Sequence, residues 1–166
     1  MKKLLYPLIS IALLISCSPQ EEKRISFEGI QNFDFTNSLA QAKTKDKKLL
    51  IYFSGETYEN CHYMEKAVLA DPEVVSAILQ DYMFIMLMVD DMTMAEEQFW
   101  RYGRHSHLPL KRVGDINMEY QYELTRAGSN PIFTIVSEDE KTQAILGFTN
   151  DKGDFLAFLK KNRASL

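Results

Sequence analysis

Apolar residues fall into short runs separated by polar turns, and their spacing predicts alternating strands and helices. Residues 49–53 and 83–89 are continuous apolar runs of strand length, which is typical of strands buried on both faces of a sheet. Between these two runs, residues of types that usually lie in the core recur at helical spacing over residues 61–68. Asp71, followed directly by proline, predicts the start of a further helix.

The later part of the chain continues this alternation. Residues 92–128 have a looser pattern, in which a helix over 116–127 is the best defined element. Residues 132–136 and 143–147 flank a polar turn and predict a β-hairpin, and a last helix begins near Asp151. This order of elements predicts an α/β domain whose mixed sheet is covered by helices on both sides.

The N-terminal residues follow a different pattern. Two lysines precede about a dozen mostly apolar residues, a stretch too short to span a bilayer and typical of a secretion signal. The segment Leu14-Ile15-Ser16-Cys17 resembles the bacterial lipobox, in which the cysteine is lipidated and becomes the new N-terminus. We therefore predict a signal peptide over 1–16, a lipid on Cys17, a tether over 17–29 and a domain over 30–166. The alternative is an ordinary signal peptide that contains a cysteine by chance.

Net charge and cysteine content argue against two features, a nucleic-acid partner and an intrachain disulfide. Removing the leader with its two lysines takes the net charge from −4 to −6, which argues against nucleic acid as a partner. Cys17 and Cys61 are the two cysteines of the chain. With Cys17 on lipid, Cys61 has no partner within the chain, and an intrachain disulfide is not expected even in an oxidising compartment.

Several motifs resemble the C-terminal domain of DsbD-type thiol:disulfide interchange proteins, which are thioredoxin-like. That family has a strand, a glycine, Cys-x-x-Cys-x-x-Met-Glu and then Asp-Pro-x-Val; this chain has residues 48–55, residues 58–65 (YENCHYME) and Asp71-Pro72-Glu73-Val74 in that order. The resemblance spans about residues 30–162. It implies a thioredoxin-like fold, with a central mixed β-sheet flanked by helices and a helical insertion around 92–128. It also implies a location in the bacterial cell envelope, facing the periplasm.

In the register of this resemblance, Tyr58 stands in place of the first cysteine and Cys61 is the second. The first cysteine of the family is the nucleophile at a helix N-terminus, and the second resolves the mixed disulfide. Two-cysteine cycling is not expected, because a tyrosine phenol forms no exchangeable bond with sulfur. A rival register makes Cys61 the first cysteine and puts Met64 in place of the second, but it lengthens the turn and spoils the Met-Glu and Asp-Pro matches. Tyr52 occupies the strand position where thioredoxin-like proteins often keep a buried acid.

The resemblance makes Cys61 the candidate catalytic residue and assigns Tyr58, Asn130 and Pro131 to a peptide-binding groove. Pro131 corresponds to the cis-proline of the family, although Ser-Asn-Pro is also ordinary turn chemistry. Cys61 is either a small buried hydrophobe or a partly exposed thiol activated by the nearby helix start.

The charged or titratable residues near Cys61 are not expected to take part in catalysis. His62 is expected to be a solvated neighbour rather than a base for Cys61, because adjacent helical residues point about 100° apart. Glu59 and Glu65 are expected to be surface charges.

No cofactor and no metal site are predicted. A group of five methionines could suggest copper, namely Met83, Met86, Met88, Met92 and Met94. The first three fall in an apolar strand, however, where core packing is the simpler explanation. His105 and His107 lie in the insertion with no cysteine, aspartate or glutamate at ligand spacing.

Three functional hypotheses follow. The first is a lipid-anchored protein that binds envelope proteins or peptides in the groove, with little or no two-cysteine redox cycling. The second is a single-cysteine thiol–disulfide oxidoreductase that uses Cys61. The third is an accessory subunit whose contact surface is the insertion. The membrane, reached through Cys17, is the other expected partner.

Overall fold

The computed structural model describes residues 35–137 and 139–163. The predicted signal peptide, Cys17 and the tether over 17–29 lie outside the described residues. No helix in the described part is both long and apolar enough to cross a membrane.

The described chain alternates strands and helices in the predicted order. The elements are α1 Phe35–Thr44, β1 Lys48–Ser54, α2 Glu59–Met64, which continues as a π-helical turn over Glu65–Leu69, α3 Pro72–Asp81, β2 Tyr82–Met88, a 3₁₀ turn Glu97–Phe99, β3 Arg101–Tyr102, β4 Pro109–Leu110, α4 Val113–Thr125, β5 Ile132–Val136, β6 Thr142–Leu146 and α5 Lys152–Asn162.

The main sheet is mixed, as predicted, with its four strands in the order β2-β1-β5-β6. β1 runs parallel to β2, whereas β5 runs antiparallel to both β1 and β6. Ser54 pairs with Met88, and Phe53 pairs with Ile132. The loop that leaves β1 therefore emerges beside the segment that enters β5.

Alternate residues of β1 face opposite helical layers. Leu50 and Tyr52 pack with buried residues of α2, α3 and α5. Leu49, Ile51 and Phe53 pack on the other side, against residues of α1 and α4. Every residue of β1 after Lys48 is buried, which confirms that the continuous apolar run is a central strand covered on both faces.

The insertion contains the predicted helix and an element that the pattern did not predict. β3 and β4 form a small antiparallel sheet of their own. The helix begins at Val113, three residues before the predicted start. A Cβ at Gly114 would meet the Val89 carbonyl oxygen at 2.7 Å, so this first turn packs directly on the chain leaving β2. That contact is tertiary, which explains why periodicity placed the helix start too late.

Candidate functional site

The turn between β1 and α2 is anchored on Asp90, which follows β2. The Asp90 carboxylate accepts hydrogen bonds from the backbone N–H groups of Glu56 and Thr57, at 3.1 and 2.9 Å, and from the Thr57 hydroxyl at 2.9 Å. Partial burial raises the pKa of Asp90, but these hydrogen bonds outweigh it and hold the pKa below its usual value. The charged carboxylate thus fixes the turn from the neighbouring strand.

Tyr58 is the N-cap residue of α2, with an extended backbone and no side-chain capping bond. Its half-buried ring packs against the core on the α1 and α4 side of the sheet. A Cβ added to Gly55 would lie 2.6 Å from the Tyr58 ring and 2.9 Å from the Asp90 carboxyl carbon. Gly55 therefore makes room for the tyrosine ring over the turn.

Cys61 lies in the first turn of α2 and is 0% exposed. Its N–H donates to the Tyr58 carbonyl at 2.9 Å, so the two candidate positions are joined by the first hydrogen bond of the helix. Of the two interpretations of Cys61, burial favours the small buried hydrophobe. A thiolate nucleophile needs access to its partner sulfur, which this packing does not provide.

A polar network lies beneath the same helix. The hydroxyls of Tyr52 and Ser54 lie 3.1 and 2.9 Å from Glu65 Oε1, and each donates to it. The Tyr52 hydroxyl also lies 3.5 Å from the Cys61 carbonyl oxygen. Burial raises the pKa of Tyr52 well above its ordinary value of 10.0, which keeps its phenol neutral.

The prediction that Glu65 is a surface charge is therefore wrong. Its side chain is 28% exposed, and its carboxylate is the acceptor for two buried hydroxyls. The sequence signal was available: Glu65 follows Cys61 by four residues, a spacing that brings two side chains to one helix face. Glu65 thus places an acid beside Tyr52, which occupies the strand position where thioredoxin-like proteins often keep a buried acid.

His62 lies on the outside of the site. Its side chain is 59% exposed, and Nε2 donates to the Glu56 carbonyl at 2.7 Å. Its Nδ1 lies 3.9 Å from Glu65 Oε2. The prediction of a solvated neighbour of Cys61 is confirmed.

Asn130 and Pro131 enter β5 beside this turn. The Asn130–Pro131 peptide bond is cis, as the resemblance implied. α4 holds the preceding residue, since Gln121 Nε2 donates to the Ser129 carbonyl at 3.0 Å. The buried Oδ1 atom of Asn130 has no hydrogen-bond partner among the described residues. The loop that passes the end of β1 therefore carries an unused acceptor.

An exposed aromatic pair adjoins α2. Tyr63 is 53% exposed and Phe148, which follows β6, is 45% exposed, and their ring centroids are 6.1 Å apart. These two neighbouring exposed rings form a small apolar surface beside the turn into α2. No three metal-ligating side chains converge at Tyr58 and Cys61 within the residues that the structure describes.

These features define a class. A mixed sheet lies between two helical layers, a cysteine sits in the first turn of the helix after the central strand, and a cis-proline precedes the adjacent strand. This is the thioredoxin fold. A sequence model of the family described as thioredoxin-like matches residues 30–113, half of the chain. The chain belongs to this thioredoxin-like family.

Solved structures agree on the fold. A DsbH oxidoreductase is 14% identical with a TM-score of 0.59, covering 76% of this chain and 79% of its own. A thioredoxin from Thermus thermophilus is 19% identical with a TM-score of 0.55, covering 76% and 82%. The oxidised C-terminal domain of DsbD from Neisseria meningitidis is 16% identical with a TM-score of 0.54, covering 77% and 91%. Identities this low establish the fold alone. No curated protein matches this sequence.

Proposed function

We propose that this protein is a lipid-anchored envelope protein whose thioredoxin-like domain binds envelope proteins or peptides, with little or no two-cysteine redox cycling. The observation that carries the proposal is the pairing of Tyr58 at the start of α2 with a fully buried Cys61. Thiol–disulfide exchange begins when an accessible thiolate attacks a disulfide. Neither the phenol of Tyr58 nor the buried thiol of Cys61 supplies such an accessible thiolate.

The groove beside Tyr58 retains groups that suit an extended peptide. Asn130 has a buried side-chain oxygen with no partner among the described residues, and the backbone around Pro131 lies beside the end of β1. Tyr63 and Phe148 add an apolar surface next to α2. Backbone pairing gives affinity for an extended chain, and flanking pockets give selectivity. Binding can therefore persist without redox chemistry.

The envelope location and the lipid rest on the lipobox-like segment that ends at Cys17. A single acyl chain binds membranes only marginally, whereas two or more anchor a protein stably. Metabolic labelling with a radioactive fatty acid tests this part, with Cys17→Ser as the control. Label retained by Cys17→Ser would contradict it.

Insulin reduction by dithiothreitol tests the redox part of the proposal. We expect the protein to leave the rate of insulin precipitation at the background given by dithiothreitol alone. A parallel reaction with an intact two-cysteine thioredoxin calibrates the assay. Turnover at the rate of that thioredoxin would contradict the proposal.

Binding is tested with reduced, carboxymethylated α-lactalbumin, an unfolded chain that has no free thiol. We expect saturable binding that weakens in Asn130→Ala and Tyr58→Ala, because both substitutions alter the groove. Leu79→Ser is the matched control, since Leu79 is 54% exposed on α3, outside the groove. Equal weakening in all three variants, or no binding, would count against the groove.

The alternative is a single-cysteine oxidoreductase that forms a mixed disulfide through Cys61. It requires an accessible thiolate, and the burial of Cys61 speaks against it. Iodoacetamide separates the two functions: we expect labelling of Cys61 in urea and protection in the folded protein at neutral pH. Rapid labelling of the folded protein would favour the enzyme instead.

A further inference from the structure

A second group of functional side chains lies in the insertion. His105 belongs to the loop between β3 and β4, and Glu119 and Glu123 lie one turn apart on α4. One ligand atom from each of the three residues lies within 4.8 Å of the others. Local spacing predicts no metal site at His105, because the two acids follow it by 14 and 18 positions and only the fold brings them together.

Glu119 is the fixed member of the cluster. It is 4% exposed, and its two carboxylate oxygens accept the backbone N–H groups of His105 and Ser106 at 2.7 and 3.3 Å. Both oxygens act as acceptors of N–H groups, which is the pattern of an ionised carboxylate. Among the described residues, no lysine or arginine forms an ion pair with it. A buried anion that has no countercharge favours a cation at this place.

Gly103 makes this approach possible. A Cβ at this position would lie 2.9 Å from Glu119 Oε2 and would also collide with the Ser106 hydroxyl. The loop therefore closes on the carboxylate because residue 103 has no side chain. This places the backbone of His105 directly against Glu119.

His105 presents an imidazole lone pair to a positive charge. Its Nε2 lies 3.3 Å from Nη1 of the exposed Arg126, and its ring packs on Tyr122 with centroids 4.7 Å apart. Arginine has donors and no acceptor, so Nε2 must be the unprotonated, accepting nitrogen in this contact. The unprotonated nitrogen is also the form of histidine that binds metal ions.

We propose that His105, Glu119 and Glu123 form a binding site for a divalent transition-metal ion, with Zn²⁺ the best match to one imidazole and two carboxylates. Ligands around tetrahedral zinc lie about 3.4 Å apart. The exposed His105 and half-buried Glu123 can close that difference by side-chain rotation, while Glu119 stays in place. Arg126 has to rotate away, which its exposure permits.

Three protein ligands leave one coordination position open, as in zinc sites that bind water or an exchangeable ligand. A surface cavity of about 620 Å³ lies against the cluster, with His105 and Glu119 in its wall beside apolar residues such as Leu108 and Met118. The open position has room on this side for water or a small anionic group. The site shares no residue with the groove at Tyr58, so it stands independently of the proposed function.

Calorimetric titration of ZnCl₂ into the EDTA-treated protein tests the proposal. We expect one saturable site, weakened by about tenfold or more in His105→Ala and in Glu123→Gln, within the range typical for altered metal sites. Arg126→Ala should bind Zn²⁺ more tightly than the parent, because it removes the charge that competes for Nε2. CaCl₂ should bind the parent far more weakly than ZnCl₂, since imidazole is a poor ligand for calcium, and equal affinity for the two ions would contradict a transition-metal site.

His107→Ala is the matched control, because His107 lines the same cavity but is not one of the three ligands. Its affinity for Zn²⁺ should equal that of the parent, and circular dichroism should show all variants folded. Absence of saturable binding overturns the proposal, as does an equal loss in His107→Ala and His105→Ala. Loss of binding in Cys61→Ser with retention in His105→Ala would assign the ion to the free thiol and would also overturn the proposal.

Discussion

At the scale of single residues, the chemistry of this domain depends on what occupies the N-cap of α2. Tyr58 fills that position with a ring that packs over Gly55 and against the core. Cys61, three residues later, is enclosed. Under the proposed function, the helix start therefore presents a phenol, which takes no part in disulfide exchange, and no exposed sulfur.

If the proposed function is right, a cysteine at position 58 should give this domain thiol–disulfide exchange activity. Tyr58→Cys puts a thiol at the start of α2, where the unpaired N–H groups and the helix dipole stabilise a thiolate. We expect this variant to form a disulfide with Cys61 on oxidation and to accelerate insulin reduction by about tenfold or more over the parent, as a low-pKa thiolate would. Mass spectrometry with thiol alkylation measures the disulfide.

Tyr58→Ser is the control, because it removes the same ring without adding a nucleophile. It should leave insulin reduction at background. If Tyr58→Ser proved as active as Tyr58→Cys, Cys61 alone would be the nucleophile, and the assignment of Cys61 to the resolving position would be wrong.

Single residues also show which features of the site local sequence spacing can predict and which it cannot. The positions of Cys61 and of the turn at Gly55 follow from sequence, because each is set by a few neighbours in the chain. The role of Glu65 does not, because it depends on Tyr52 and Ser54, which reach it from β1. A charged residue on a helix is usually solvated, and only the packed structure reveals the buried donors beneath it.

At the scale of elements, the turn that leads into α2 depends on β2. Asp90 is the second residue after the end of β2, and its carboxylate accepts hydrogen bonds from the backbone N–H groups of Glu56 and Thr57. The loop between β1 and α2 is therefore fastened by an element that lies more than thirty residues away. Charged acceptors of backbone N–H groups form stronger hydrogen bonds than neutral ones.

Asp90→Asn should loosen this turn in a pH-dependent way. The pKa of Asp90 is lowered in the folded protein, so its contribution is present above the unfolded value of 3.8 and is lost as pH falls through the folded pKa. We expect the variant to lose about 1 kcal/mol of stability at neutral pH in urea denaturation. The difference from the parent should shrink at acidic pH.

Glu96→Gln is a suitable control, since Glu96 is an exposed acid outside this turn whose contact is with the Gln98 side chain. Its stability should follow the parent at every pH. A loss in Asp90→Asn that stays constant down to acidic pH would show that the carboxylate charge is not what anchors the turn.

At the scale of the whole molecule, buried tyrosines join layers of the fold. The Tyr82 hydroxyl at the start of β2 donates to the Leu159 carbonyl of α5 at 2.7 Å. Tyr52 stacks on Phe133 of the adjacent strand, with centroids 4.4 Å apart. Burial raises the pKa of both tyrosines above the ordinary value of 10.0. The fold therefore requires both phenols to stay protonated.

This requirement predicts loss of stability at alkaline pH. A raised folded pKa means that stability is complete below the unfolded value of 10.0 and declines as pH rises above it, because only the unfolded state releases the proton easily. Each such tyrosine contributes a slope of about 1.4 kcal/mol per pH unit. Tyr82→Phe should start less stable but decline with a shallower slope. Urea denaturation at several pH values above 10.0 measures the loss of stability. An equal loss per pH unit in the parent and in Tyr82→Phe would contradict the claim that burial raises the pKa of Tyr82.

The sequence by itself determined the order of the elements, the central strands and the thioredoxin-like class. These depend on hydrophobic periodicity and short motifs, which are properties of neighbouring residues. It also located Tyr58, Cys61 and Pro131, because their spacing from β1 and β5 is local.

Tertiary structure decided the rest. The burial of Cys61, the hydrogen bonds to Glu65 and the convergence of His105 with Glu119 and Glu123 all join segments that the sheet and the insertion bring together. The β3–β4 sheet and the start of α4 are of the same kind. The free energy of these contacts depends on desolvation and on pairing between residues that are distant in the sequence. Local residue spacing therefore cannot predict them.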